Sequence, residues 1–263
     1  MNADQEPTRE DSALLRMLQV YPRPLVMAHR GNSVRCPENT MAAFRQAFAD
    51  GADLLETDLH LSSDGEFMCI HDGTLERTTN GTGEVRAKTR DQLQALSASY
   101  GRAEFKDEGI PTLRETLEII PERCGLGLEL KSDDFLDEGV CRRLQELTDA
   151  FAITDRTIVM SFSEARLAAV RRAAPRFKTG LIAISRLQPP VSEDVFGVWW
   201  PMLLVNPLLA WMTHRRGQAF CPLDPAPDGR LWFYKLLGCD AVLSNDPAQT
   251  LKALGRADRQ KAF

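Results

Sequence analysis

From residue 125 onward the sequence alternates between short apolar runs and helical patterns, and that rhythm narrows the fold more than any other feature. Strand character appears at residues 125–131 (GLGLELK), 157–162, 178–184, 202–206, 218–223 and 240–244. Between them, apolar residues three and four apart mark helices over residues 137–151, 164–173, 207–215 and 231–237. Upstream, residues 25–28 form an apolar run of the kind buried in parallel sheets. Pro37-Glu38-Asn39-Thr40 then opens a helix through Ala49, which Gly51 stops. Further helical patterns cover residues 11–20, 89–97 and 112–120. Strands alternating with helices imply parallel strands joined by helical crossovers. So many units in 263 residues favour a closed, somewhat irregular (β/α)8 barrel over an open sheet. The whole chain, 1–263, reads as one such α/β domain, with residues 1–20 as an N-terminal extension whose helix closes the barrel's bottom.

One stretch departs from the alternation. Residues 54–72 read LLETDLHLSSDGEFMCIHD, with Asp64-Gly65 between two strand-like runs. Asp-Gly predicts a hairpin with a type I′ turn, which needs positive φ at both central positions. Counting outward pairs Leu61 with Met68 and Asp58 with His71. Side chains alternate along a strand, so Glu56 and Asp58 share a face, with His71 beside them. A turn this tight cannot be a parallel crossover, which accounts for a strand beyond the eight of a regular barrel.

Composition excludes several function classes. A net charge of −5 without a basic stripe argues against a nucleic-acid partner. The N-terminus has neither a basic region nor an apolar core, so it is not read as a signal peptide. Residues 195–212 are the most apolar stretch, but Pro201, Asn206 and Pro207 interrupt it, and no transmembrane segment is expected. The six cysteines are scattered without metal-type pairing, which suits reduced thiols and a cytoplasmic location. Nothing in the composition fixes an oligomeric state.

In such barrels the chemistry sits at the C-terminal ends of the strands. Those ends carry His29-Arg30, Glu56-x-Asp58, His71-Asp72, Glu129-x-Lys131 and Ser161-Phe162. Any one of them alone reads equally well as a capped strand end or a salt bridge. Their convergence is what points to a site. Glu56, Asp58 and Glu129 brought together would raise one another's pKa. One hard divalent cation, Mg2+ or Ca2+, resolves that conflict. Arg30 and Lys131 supply positive charge suited to a phosphate or sulfate. His29 and His71 would then make a general-acid and general-base pair. His60, nearer the turn, and His214, at a basic helix end, read as solvated or structural. The Gly- and Thr-rich loop over residues 73–83 is long enough to cover a site.

With those residues in hand, the chain resembles the glycerophosphodiester phosphodiesterase family of metal-dependent TIM-barrel enzymes. His29-Arg30-Gly31 followed after five residues by Pro37-Glu38-Asn39-Thr40 is similar to the family's first signature. Gly51-Ala52-Asp53, Glu56-x-Asp58, Asp64-Gly65 and His71-Asp72 resemble the second. Arg77-Thr78-Thr79 with Gly83, Glu129-Leu130-Lys131 and Ser161-Phe162 extend the match over residues 26–162. The resemblance implies His29 and His71 as the acid–base pair, Glu56, Asp58 and Glu129 as metal ligands, and Arg30, with Lys131, on the phosphate. Glu38 keeps two readings, a support for metal or substrate hydroxyls and a helix-start residue. The implied reaction is hydrolysis of a small-molecule glycerophosphodiester to glycerol 3-phosphate and an alcohol. Where the family carries a Trp-Thr-Val-Asn-like strand end, this chain reads Phe220-Cys221-Pro222-Leu223-Asp224. Its usual Thr-Asp near the last strand becomes Ser244-Asn245. These departures, with the apolar region around Trp199, Trp200 and Trp211, are expected to bear on the substrate and to leave the metal and histidine residues untouched. They raise phospholipase-D-like action on lysophospholipids as an alternative. A barrel that binds phosphodiesters without cleaving them is the other.

Overall fold

The structure, a computed structural model, describes residues 22–256, so the helix expected over residues 11–20 lies outside the described residues. Among the described residues nine strands form one sheet: β1 Leu25–His29, β2 Leu54–Leu61, β3 Phe67–Cys69, β4 Gly125–Leu130, β5 Thr157–Ser161, β6 Lys178–Ala183, β7 Val195–Trp199, β8 Ala219–Leu223 and β9 Ala241–Ser244. Their spatial order is β8-β7-β6-β5-β4-β2-β1-β9, every neighbouring pair parallel. Only β3 is antiparallel, against β2. The remaining gap is nearly closed. Asp240, just before β9, donates its backbone N–H to the Phe220 carbonyl of β8 at 2.9 Å, and its carboxylate accepts from the Phe220 N–H at 2.8 Å.

The strands are apolar on both faces because each face is covered. Leu25, Met27, Leu54, Ile158, Val195, Cys221, Ala241 and Leu243 fill the barrel's interior. Outward-facing Val26, Leu55, Leu126, Val159, Phe196, Phe220 and Val242 pack in the layer beneath the helices. The crossover helices begin where the sequence offers a cap. Thr40 accepts from the Ala43 N–H to start α1 (Met41–Asp50), and Gly51 ends it at φ 89°. Two shorter helices, α2 (Arg90–Gln94) and α3 (Leu113–Glu118), each carry a Thr-led capping box. Asp137 and Ser163 cap α4 (Glu138–Ala150) and α5 (Glu164–Ala173). Helices α6 (Met202–Val205), α7 (Leu209–His214), α8 (Leu231–Leu236) and α9 (Pro247–Ala253) complete the ring.

Two expectations need correction. The strand expected at residues 202–206 is helix α6, and the strand of that region is β7 upstream, where Val195 pairs with Gly180 of β6 and Ala219 of β8. Pro201, with its fixed φ, sits at the start of α6. Leu204 and Val205 then face solvent instead of a sheet.

The hairpin register is also one residue away from the expected one: Leu61 pairs with Phe67 and His60 with Met68. Gly65 alone takes positive φ, at 84°, and Asp64 does not. The Gly65 N–H donates to the Ser62 carbonyl and the Ser62 N–H to the Glu66 carbonyl, both at 3.0 Å. That is a three-residue loop, a type I turn closed by a left-handed glycine, in place of the two-residue type I′ turn. Asp58 therefore opposes Ile70, whose N–H it accepts at 3.0 Å, and His71 lies past the end of β3.

At the opposite end of the barrel Asp53 ties three segments together. It accepts from the Val26 N–H at 2.9 Å and, through both oxygens, from Arg256 Nη2 at 2.6 and 2.8 Å. Both ionic side chains are buried. Removing one partner of such a pair leaves a buried charge uncompensated. Asp53→Ala is accordingly expected to cost about 3 kcal/mol of unfolding free energy in urea titration; a loss below about 1 kcal/mol would show the pair to be dispensable.

Candidate active site

The site is built where β1 turns sharply into the segment preceding α1. Arg30 and Gly31 both adopt left-handed conformations, at φ 56° and 80°. Gly31 has no alternative, since a Cβ there would lie 2.5 Å from the Ala43 carbonyl carbon. Arg30 bears the strain of its positive φ, and the Asn39 N–H donating to its carbonyl at 3.0 Å helps to fix it. In this conformation the Arg30 N–H reaches Glu56 Oε2 at 2.9 Å. Its guanidinium lies 2.9 Å from Glu38 and 3.1 Å from Asp58.

Glu56 and Asp58 share a face of β2, as alternation requires, and Glu129 of β4 stands opposite Asp58 in the parallel register. One oxygen from each lies within 4.8 Å of the others, and all three residues are buried. Lys131 Nζ reaches Asp58 at 3.0 Å and Glu129 at 2.5 Å. Asn39 donates to Asp58 Oδ2 at 2.8 Å while accepting from the Thr57 hydroxyl at 2.7 Å. Burial, then the neighbouring carboxylates, push Glu56 well above the usual carboxylate range. Burial and Asp58 likewise raise Glu129. Burial opposes ionisation of Asp58 too, yet Lys131 and Arg30 together hold it low.

The balance of charges is incomplete. Asp58 Oδ1 and Arg30 Nε are buried without a hydrogen bond, although each has an ionic partner within about 3 Å: the ion pairs are close but poorly aligned. Three clustered carboxylates, two of them pushed towards protonation by burial and by their neighbours, form a donor set that a hard divalent cation fits.

The two histidines are each held through Nδ1. His29 Nδ1 lies 2.7 Å from Asn245 Oδ1. An amide oxygen only accepts, so Nδ1 carries the proton and Nε2 is left for a ligand. Burial, and then Arg30, lower the His29 pKa to about 4, which keeps the ring neutral at neutral pH. His71 Nδ1 lies 2.6 Å from Asp72, which also binds Arg77 at 2.6 Å. Arg77 hydrogen bonds hold Asp72 below the usual carboxylate range. Arg77 continues to Glu38 at 2.8 and 2.9 Å, and Glu38 to Arg30. The loop over residues 73–83 thus fastens His71 to Arg30 by an unbroken chain of ion pairs. His60 and His214 have structural partners, the His71 carbonyl at 3.1 Å and Asp240 at 2.8 Å.

The residues singled out from the sequence therefore come together. His29, Arg30, Glu56, His71, Glu129 and Lys131 line one cavity of about 250 Å³, with Asp58 buried behind them. Sequence reasoning missed Asn245, Arg77 and Asn39 as partners of that set. It also held that the C-terminal departures leave the histidines untouched, and the Asn245–His29 hydrogen bond overturns this. The signal was available, because Asn245 directly follows β9 and is one more polar residue ending an apolar strand. Glu38 links Arg30 to Arg77, a partnership the sequence did not offer.

Known proteins share both the sequence and the fold. The glycerophosphoryl diester phosphodiesterase family matches residues 29–212, more than half of the chain. A glycerophosphodiester phosphodiesterase from Caldanaerobacter subterraneus subsp. tengcongensis is 40% identical over 162 residues, covering 61% of this chain and 67% of its own. One from Bacillus altitudinis is 34% identical over 170 residues, 63% of this chain and 69% of its own. An Oleispira antarctica phosphodiesterase, solved in complex with the product sn-glycerol-3-phosphate, superposes with a TM-score of 0.77 at 27% identity, over 88% of this chain and 97% of its own. The barrel, the carboxylate cluster at its mouth and these likenesses agree: the chain belongs to the glycerophosphoryl diester phosphodiesterase family and is an enzyme of that family, a phosphoric diester hydrolase.

Proposed function

We propose that the chain hydrolyses glycerophosphodiesters to glycerol 3-phosphate and an alcohol, with His29 and His71 as the acid–base pair. The observation that carries this reading is the matched pair of imidazoles. Each is pinned through Nδ1, with Nε2 free, and each lines the cavity that the carboxylates and cations also enter. His29, neutral and held by an uncharged amide, is suited to take a proton from the nucleophile. His71 has Asp72 behind it, so a protonated ring keeps a counter-charge, which suits it to protonate the leaving alkoxide. Arg30 and Lys131 bind and orient the phosphoryl oxygens. Glu56, Asp58 and Glu129 would hold one divalent cation, Mg2+ or Ca2+; when bound, it supplies charge neutralisation at the phosphoryl group.

The proposed compartment, the cytoplasm, rests on different residues. All six cysteines are free and buried, which supports a reducing cytoplasm. Among the described residues no helix is long and apolar enough to cross a membrane.

Three outcomes are expected. His29→Ala and His71→Ala should each lower kcat on glycerophosphocholine by on the order of 10²–10⁴-fold with an unchanged circular-dichroism spectrum; more than a few per cent of activity in both would refute the pairing. EDTA should abolish turnover, and added Mg2+ or Ca2+ should restore it; undiminished activity after exhaustive chelation would remove the cation from the scheme. Asn245→Ala frees the His29 ring and should lower kcat by up to about 10²-fold while KM stays near its starting value. A pure KM effect would mean that Asn245 serves substrate binding instead of ring placement.

A further inference from the structure

His29 is oriented by the side chain of Asn245, and the placement of Asn245 rests in turn on two loops. The Val34 N–H, between β1 and α1, donates to the Asn245 carbonyl at 3.2 Å, and the Asn245 N–H donates to the Pro225 carbonyl at 2.8 Å. Pro225 stands between β8 and α8 and lines the cavity. Pro225 and Ala226 are both exposed, so packing alone does little to keep that carbonyl in place. A carbonyl on an exposed loop is a firm partner only if the loop is fixed by other means.

The fixing is done by a cluster of polar side chains around Asp224. This carboxylate, 2% exposed, accepts from Arg230 Nε at 2.6 Å and Nη2 at 2.8 Å, and from the Tyr234 hydroxyl at 2.5 Å. The guanidinium grips it as a two-pronged fork, the geometry that gives such pairs their directional strength. Arg230 Nη2 also donates to the Ala226 carbonyl at 2.8 Å, which closes the loop on itself. The same guanidinium sits over the Trp200 ring, 4.4 Å from its centroid. Further along the loop, Asp228 accepts from the Thr250 hydroxyl of α9 at 2.6 Å. Asp224 directly precedes Pro225, whose ring locks the φ between the gripped residue and the carbonyl that Asn245 uses. Few free torsions remain between them. Asp224 and Arg230 themselves stand outside the cavity lining.

We propose that Asp224 is a positioning residue for catalysis: gripped by Arg230 and Tyr234, it holds the Pro225 carbonyl where that carbonyl orients Asn245, and Asn245 keeps His29 protonated on Nδ1. This rests on the reading of His29 as a proton-transfer group and adds the device that sets its ring. The relay runs from α8 through the loop after β8 to the residue that ends β9, and from there to the end of β1. Once Pro225 is released, the Asn245 amide can turn away and the ring is no longer confined to one tautomer. A misplacement of about 1 Å by a change far from the chemistry can cost on the order of 10²-fold in rate. Because the clamp stands outside the cavity lining, its loss falls on kcat and leaves KM near its starting value.

The test is a double-mutant cycle on glycerophosphocholine with the metal-loaded full chain. Asp224→Ala and Arg230→Met should each lower kcat about tenfold with KM within about twofold. In an Asn245→Ala background the same substitutions should lower kcat by less than about twofold, because the ring is already free. A clamp that serves only folding would give equal factors in both backgrounds, and that result overturns the inference, as does an unchanged kcat in both single variants. Where Asp224→Ala does not fold, Arg230→Met carries the cycle, since the Arg230 side chain is one-third exposed. The second readout is the ring itself. In the 15N-histidine-labelled chain the His29 signals, assigned by their absence from His29→Ala, should show one tautomer protonated on Nδ1, and the clamp variants should show both tautomers. A single unchanged tautomer in those variants overturns the inference. Near-full activity of His29→Ala sinks the acid–base pairing instead, and the ring spectrum alone then decides whether Asp224 positions His29.

Discussion

The mouth of this barrel depends on one electrostatic arrangement, three buried carboxylates set against the guanidinium of Arg30 and the ammonium of Lys131. Charges removed from water are costly unless they are paired and hydrogen-bonded, and here the pairing is only partly aligned. The surrounding structure absorbs that cost. β2 lies between β1 and β4, so residues distant in sequence arrive as neighbours without further folding. Asn39 and Thr57 add hydrogen bonds around Asp58, and the left-handed turn at Arg30 turns a backbone N–H towards Glu56. The result is a buried cluster of negative charge that a hard cation fits.

The histidines illustrate a second principle, that an imidazole needs a fixed tautomer before it can move a proton in a chosen direction. This chain solves the problem twice, in different ways. His29 leans on the neutral amide of Asn245, from the last strand of the barrel, and His71 leans on the carboxylate of Asp72 beside it. Burial and then Arg30 keep the first ring uncharged, while the second has a partner for its charged form.

Much of this was legible in the sequence, because it depends on local patterns. Short apolar runs alternating with helical spacing, and polar residues ending the strands, pointed to the barrel and to His29, Arg30, Glu56, Asp58, His71, Glu129 and Lys131 meeting in one place. What escaped was decided by geometry that no local pattern carries. The register of the hairpin turned on whether Asp64 or only Gly65 would take a left-handed backbone. An apolar segment at 202–206 has the composition of a strand, but the preceding run at Val195–Trp199 already fills the place between β6 and β8. The Asn245–His29 contact spans 216 positions and exists only because β9 returns to pair with β1.

Arg77 grips Asp72 and Glu38 at once with its guanidinium. Through them it is linked both to the His71 imidazole and to the Arg30 guanidinium. Loss of this one side chain would reach two separate parts of the mouth at once, taking a partner from the carboxylate behind His71 and another from the carboxylate beside Arg30.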